Sequence, residues 1–297
     1  MNWDAITKYI VSATGQAFTA RSVQSLSGGD INAAFRLQDS HKSYFVKLNR
    51  AELVPMFAAE FVGLQELART QTLRVPQPVA YGQSDTHSFL VLEYIELGSS
   101  SPASDLLLGQ QLAYLHQQVQ PYFGWHRDNT IGSTLQHNTQ TNDWVNFWRE
   151  HRLGFQLQLA AKNGYSGRLQ RTGERLCDEL GGFFTHYMPT PALLHGDLWE
   201  GNVATDMRGK PVIFDPACYY GDREAELAMT ELFGGFSQDF YAAYQDVWSL
   251  HEGYGVRKSL YNLYHILNHL NLFGGSYLQQ AEIIIAKLLV EIDVNSS

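Results

Sequence analysis

Apolar residues recur with period two in the first third of the chain and at helical spacing in the rest. Ser22 to Leu26, Ala33 to Leu37 and Tyr44 to Leu48 are short runs rich in β-branched and aromatic residues, and they predict strands. Val54 to Arg69 places Phe57, Phe61, Leu64 and Leu67 on one helical face and carries Glu60 and Glu66, which predicts an amphipathic helix. Phe89 to Glu96 reads as a buried strand that runs out into a polar linker, Gly98-Ser99-Ser100-Ser101-Pro102. Beyond it, Leu106, Leu107, Leu112, Leu115 and Val119 predict a helix ending before Pro121. Trp144, Phe147, Trp148, Leu153, Phe155 and Leu159 mark a second helix, Leu169 to Tyr187 a third, and Ile283 to Ile292 a final core helix. Strands first and helices afterwards argue against a Rossmann or barrel architecture. The expected fold is α+β, with a β-rich lobe over 1–95, a linker over 96–102 and a larger helical lobe over 103–297.

Composition narrows the class of partner. Of 297 residues, 44% are hydrophobic and 13% aromatic, enough for a sizeable core in each of two lobes. Net charge is −9, so the chain lacks the basic footprint of a nucleic-acid binder or of a protein held on an anionic membrane. Two cysteines without a short-spaced pair suggest neither a disulfide framework nor a zinc site. Met1 to Ile6 has no basic region or cleavage site of a secretory signal. The apolar run near the end is cut by Lys287 and Glu291 and is too short to span a bilayer. A cytoplasmic protein is expected.

The chemistry is concentrated in His195-Gly196-Asp197-Leu198-Trp199-Glu200-Gly201-Asn202 and in Val212-Ile213-Phe214-Asp215. In-line phosphoryl transfer needs a carboxylate beside the attacking hydroxyl and oxygen ligands for magnesium near the β- and γ-phosphates. Asp197 suits the first role, and Asn202 with Asp215 the second, because magnesium takes few, hard oxygen donors from protein. Singly, these residues read as turn and cap formers. The ordered acid, amide and acid point to an ATP-dependent kinase. Upstream, Ser27-Gly28-Gly29-Asp30-Ile31-Asn32 lies between two strands, where Gly28 and Gly29 would let backbone amides approach phosphates. Lys47, on the next strand, is the candidate for the α- and β-phosphates, and Glu60 its candidate partner on the helix. Main-chain groups of Glu93, Tyr94 and Ile95 stand where a two-lobed kinase binds adenine.

These motifs resemble the fructosamine kinase family, also called ketosamine-3-kinases, grouped with aminoglycoside and choline kinases in the protein-kinase-like fold. The resemblance runs over nearly the whole chain. It rests on His195 to Asn202, Asp215-Pro216-Ala217-Cys218-Tyr219-Tyr220-Gly221-Asp222-Arg223-Glu224, Leu232-Phe233-Gly234-Gly235-Phe236, and Leu263 to Gly274. It implies ATP-dependent phosphorylation of the 3-hydroxyl of a ketosamine such as a ribulosamine, erythrulosamine or fructosamine, after which the labile adduct falls off its amine. By the same match Asp197 is the base, Asn202 and Asp215 the magnesium ligands, Lys47 the nucleotide lysine and Glu60 the group that orients it. Pro216-Ala217 replaces the Phe-Gly of protein kinases, so no activation-loop switch is expected. Asp30 stands where many eukaryotic members have a cysteine, which leaves a thiol switch unsupported.

For the acceptor the residues leave two readings. Trp199 could stack on a sugar face, and Tyr219, Tyr220 and Arg223 could bond its hydroxyls, or all four pack the loop. His265 shares a helical face with Tyr261 and Asn268 and could reach the cleft or be a satisfied core group. Two other functions compete: a kinase for an aminoglycoside, choline or sugar, and a non-catalytic nucleotide-binding module. The module would be expected to have lost Lys47, Asp197 or Asp215, and all three are present.

Overall fold

The computed structural model describes residues 3–27, 31–84 and 86–295. It opens with α1 (Trp3–Thr14), a helix the strand pattern downstream gave no reason to expect. Then β1 (Ser22–Leu26), β2 (Ala33–Gln38), β3 (Ser43–Arg50), α2 (Val54–Thr70), β4 (Pro78–Gln83) and β5 (His87–Glu93) follow, all but β4, for which no strand was expected, within three residues of their expected bounds. The strands form one antiparallel sheet in the order β1-β2-β3-β5-β4. Successive side chains on a strand face opposite ways, which sorts this sheet between two helices. Val46, Leu48, Phe89 and Val91 bury against Ile6 and Ile10 of α1. Leu90 and Leu92 turn the other way, towards Phe57, Leu64 and Leu67 of α2. Lys47 stands opposite Leu90 and therefore faces α2.

The linker is in part a strand. β6 (Leu97–Gly98) precedes α3 (Pro102–His116), then β7 (Asn129–Ile131), β8 (Thr134–Gln136) and α4 (Trp144–Trp148). α5 (Phe155–Lys162), α6 (Arg168–Glu179), β9 (Ala192–Leu194), β10 (Val203–Asp206), β11 (Pro211–Ile213) and β12 (Tyr219–Gly221) come next. α7 (Arg223–Leu232), α8 (Gln238–Val247), α9 (Tyr254–Phe273) and α10 (Tyr277–Asn295) complete the described chain. Thr205 and Asp206 of β10 pair with Gly98 and Leu97 of β6, so backbone pairing takes up two of the seven residues of the expected linker. Arg74 adds side-chain bonds from the small lobe to Asp206 and to Glu93.

Helix starts follow local chemistry. Ser101 and Ser104 form a capping box ahead of α3 with Pro102 at its first position, and Asp222 and Ser237 cap α7 and α8. Two expected stripes were displaced. The buried face of α3 is Leu108, Leu112 and Leu115, while Leu106 is exposed and Val119 lies beyond the helix, bridged to Ala192. The expected helix from Trp144 is broken by a π-turn at Arg149–Gly154, where a Cβ on Gly154 would lie 2.5 Å from the Arg149 carbonyl oxygen. Such single wide turns are frequent at functional sites. No helix among the described residues is long and apolar enough to cross a membrane.

The backbones of α3 and α8 meet closely at Gly109, whose added Cβ would lie 2.2 Å from the carbonyl oxygen of Phe240. Gly109→Ala is predicted to cost about 1–3 kcal/mol, the usual range for overpacking, despite the better helix propensity of alanine. Thermal unfolding of the variant checks this, and a melting temperature equal to or above wild type would contradict it.

Candidate active site

Lys47 is 5% exposed, and its Nζ lies 2.6 Å from Glu60 Oε1 on α2 and 2.6 Å from Asp215 Oδ1 beyond β11. Burial works against its charge, but Asp215 and then Glu60 outweigh it and hold the ammonium above the ordinary lysine pKa. Burial likewise pushes the Glu60 carboxyl up, and Lys47 pulls it back. The Asp215 side chain is 45% exposed, so one of its faces is open. One cation thus joins β3, α2 and the segment after β11.

Asp197 and Asn202 sit on the turn between β9 and β10. Asn202 Nδ2 donates to the Asp197 carbonyl oxygen at 2.8 Å and to its Oδ2 at 3.3 Å. That leaves Asn202 Oδ1 with no hydrogen-bond partner among the described residues. Burial, and then the like charge of Asp215, push the Asp197 carboxyl up to about 7, against the pull of Asn202. The turn is pressed against the segment carrying Asp215. Ala217 N donates to the His195 carbonyl at 2.8 Å and Phe214 N to that of Asn202 at 3.1 Å. Gly196 has φ +86°, and a Cβ there would lie 2.1 Å from the Ala217 carbonyl oxygen, so both conformation and contact require glycine. Asp215 itself has φ +60°, a left-handed backbone uncommon outside glycine.

The structure thus brings together Lys47, Glu60, Asp197, Asn202 and Asp215. Gly28 and Gly29 lie outside the described residues. Of the three positions expected to meet adenine, Glu93 is occupied. Its amide donates to the Gln77 carbonyl at 2.8 Å, and its carboxylate bonds Arg74 and the Gln77 amide. The main-chain groups of Tyr94 and Ile95 have no hydrogen-bond partner among the described residues.

The acceptor candidates divide. Trp199 is 37% exposed, with its ring folded over Gly201 and edge-on to Phe233 at 6.3 Å. Tyr219, Tyr220 and Arg223 are buried, which corrects the sugar-binding reading. The Tyr219 ring stacks on Phe147 at 5.9 Å, and the Arg152 guanidinium covers both rings, 4.2 Å from Tyr219 and 4.6 Å from Phe147. Tyr220 donates its hydroxyl to Glu66 at 2.6 Å, and Arg223 donates to the carbonyls of Trp248 and Ser249. β12 pairs with β9, which draws the two tyrosines into the core, while Arg223 starts α7. His265 is also a core group, 5% exposed and edge-on to Tyr264 at 5.1 Å.

Glu226 was missed by sequence reasoning. Buried on α7, it accepts from Gly196 N at 2.6 Å, His195 N at 3.2 Å and His116 Nε2 at 2.8 Å, and so fixes the turn that carries Asp197. Nothing in the spacing of a glutamate on an amphipathic helix distinguishes this role from a surface position.

Burial, then His269 and Arg152, hold the His265 pKa down to about 3. Unfolding lets the ring charge near pH 6.5, so the native state binds fewer protons below that pH and stability is lost as pH falls. His265→Gln is predicted to lose less stability than wild type between pH 7 and pH 5. Denaturant unfolding at the two pH values checks this; equal losses would show that His265 takes up its proton as readily in the fold as in the unfolded chain.

With this geometry established, known proteins give a consistent comparison. The family model for Fructosamine kinase matches residues 2–291. A protein named "Probable ketoamine kinase" from Synechocystis sp. is 49% identical over 97% of this chain and 97% of its own length. A chloroplastic protein-ribulosamine 3-kinase of Arabidopsis thaliana is 41% identical over 96% of this chain and 87% of its own. A crystal structure assigned as a candidate fructosamine-3-kinase from Haemophilus somnus 129PT superposes with TM-score 0.89 at 30% identity, covering 97% of both chains. The aminoglycoside phosphotransferase APH(4)-Ia, at 15% identity and TM-score 0.60 over 97% of both chains, shares the two-lobed kinase-like fold. A family match over nearly every residue, with relatives above 40% identity along most of their lengths, makes this chain a member of the fructosamine kinase family.

Proposed function

We propose that this protein is a ketosamine 3-kinase that transfers the γ-phosphoryl group of ATP to the 3-hydroxyl of a ribulosamine, erythrulosamine or fructosamine. The observation that carries the reading is the convergence of Asp197 and Asn202 with the Lys47, Glu60 and Asp215 cluster on two interlocked loops. It is joined to a family match along the chain. Residues 1–95 hold the nucleotide, 96–102 connect the lobes, and 103–297 supply catalysis and the acceptor side. The free main-chain groups of Tyr94 and Ile95 meet the adenine edge, and Lys47 Nζ meets the α- and β-phosphates. Glu60 keeps that ammonium aimed when the phosphates arrive.

The donor set suits magnesium. Asn202 turns its amide nitrogen to Asp197 and keeps Oδ1 free, and Asp215 presents a half-exposed carboxylate, two hard oxygens that leave the remaining positions to phosphate and water. Held by Asn202 and Asp215, such an ion would supply neutralisation of negative charge on the transferring phosphates. Asp197 accepts the proton of the 3-hydroxyl as that oxygen bonds to the γ-phosphorus, and the bond from phosphorus to the ADP oxygen breaks. A carboxyl held near pH 7 is well matched to taking that proton. Trp199, beside the base and on the surface, forms the sugar-facing wall. The phosphorylated adduct then decays and frees the amine. A cytoplasmic setting fits a reaction that uses ATP.

ATP consumption with magnesium, offered ribulose-lysine, fructose-lysine, an aminoglycoside and choline in parallel, tests the reading. Turnover is expected on the ketosamines alone. Asp197→Asn is predicted to lower it by about 10²–10⁴-fold, the usual contribution of a general base, with nucleotide affinity near wild type. Turnover only on choline or the aminoglycoside would overturn the substrate class, and an active Asp197→Asn would overturn the base.

A further inference from the structure

Behind the segment that carries Asp215 lies a buried relay of amides with a fixed direction. Arg152, fully buried on the π-turn, has no carboxylate within ion-pair distance among the described residues. Its Nη2 donates to Asn138 Oδ1 at 2.8 Å. Because a guanidinium only donates, this bond fixes the orientation of the Asn138 amide. Asn138 Nδ2 in turn donates to Asn129 Oδ1 at 3.0 Å, and Asn129 Nδ2 donates to the Cys218 carbonyl at 2.8 Å. A second branch starts on α9. The Tyr264 hydroxyl donates to Gln136 Oε1 at 2.8 Å, which turns Gln136 Nε2 towards Asn129 Oδ1 at 2.8 Å and the Ala217 carbonyl at 3.1 Å.

Both branches end on consecutive carbonyls two and three residues past Asp215, and the Arg152 guanidinium covers the ring of the next residue, Tyr219. Asp215 needs such support, because a non-glycine residue held at positive φ persists only where its surroundings over-determine it. The amides of Asn129, Gln136 and Asn138 are bonded at both ends, although Arg152 Nε has no partner among the described residues, and satisfied buried amides rigidify what they bond.

We propose that Gln136, with Asn129 and Arg152 behind it, is a positioning residue that holds Asp215 in its left-handed conformation and so sets the magnesium requirement of the reaction. This deepens the kinase reading and rests on Asp215 as the metal-facing carboxylate. The π-turn then has a purpose: its extra residue places Arg152 under the metal loop.

The experiment is the magnesium dependence of ketosamine phosphorylation at saturating ATP for wild type, Gln136→Leu, Tyr264→Phe and Asp215→Asn, with thermal unfolding alongside. Gln136→Leu is expected to raise the half-saturating magnesium concentration about 10-fold, the lower end of the effect of groups behind metal ligands, and Tyr264→Phe to raise it less. The KM for the acceptor should stay within about twofold of wild type, as expected for a change confined to the metal side. Should Gln136→Leu fail to fold, Tyr264→Phe carries the test, since it removes only the hydroxyl that orients the amide. Activity that falls only in step with the folded fraction, at unchanged magnesium requirement, would reduce the relay to core packing and overturn the proposal. An unchanged requirement in Asp215→Asn would instead remove the assignment of Asp215 on which the proposal stands.

Discussion

A single ammonium with two carboxylates holds the candidate site together. Lys47 comes from the sheet, Glu60 from the helix packed on it, and Asp215 from the segment after β11 in the large lobe, and all three meet within 2.6 Å contacts. A cation this deeply buried is tolerated only when paired, because stripping its hydration costs several kcal/mol and leaving one partner out is worse than removing the pair. The alternation that sends Leu90 to the α2 face sends Lys47 there too, so the sheet's own packing aims the cation. Catalytic geometry and the joining of the lobes therefore share one electrostatic constraint.

The second constraint is steric. The turn carrying Asp197 and the segment carrying Asp215 lie back to back, joined by amide bonds from Ala217 and Phe214 and by a contact at Gly196 that no side chain fits. Glu226 pins one side of this pair from α7, and the amides of Asn129 and Gln136 pin the other from the β7–β8 hairpin. The loops that carry Asp197, Asn202 and Asp215 are thus held together as one unit. The exposed edge of Trp199 and the half-exposed carboxylate of Asp215 are what this unit offers to a substrate.

Much of this was legible in the residues, for identifiable reasons. Strands β1 to β3 and helix α2 show because alternation and 3.6-residue spacing are local signals, and Lys47, Glu60, Asp197, Asn202 and Asp215 show because their order is set by the chemistry. Helix α1 was missed because its buried face is only Ile6 and Ile10. The stripe on α3 was misread because leucines 106 to 108 are consecutive; the buried one is Leu108, which lies at i, i+4 and i+7 with Leu112 and Leu115. For Tyr219, Tyr220 and Arg223, near Asp215 in sequence, the residues left sugar contact and loop packing both open; Arg223 bonds the carbonyls of Trp248 and Ser249, and the two tyrosines pack. Pairing of β12 with β9 buries them, a long-range fact with no local signature. Glu226 and the amide relay were invisible for the same cause, since their partners are 7 to 128 residues away.

The most direct test of the central claim is a double-mutant cycle on kcat/KM for ATP with Lys47→Met and Glu60→Gln. If Glu60 acts only through the ammonium it holds, the double variant is no more impaired than Lys47→Met alone, a coupling as large as the Glu60 effect itself. Losses that simply add would contradict the account, because they would mean that the buried pair does not work as a unit.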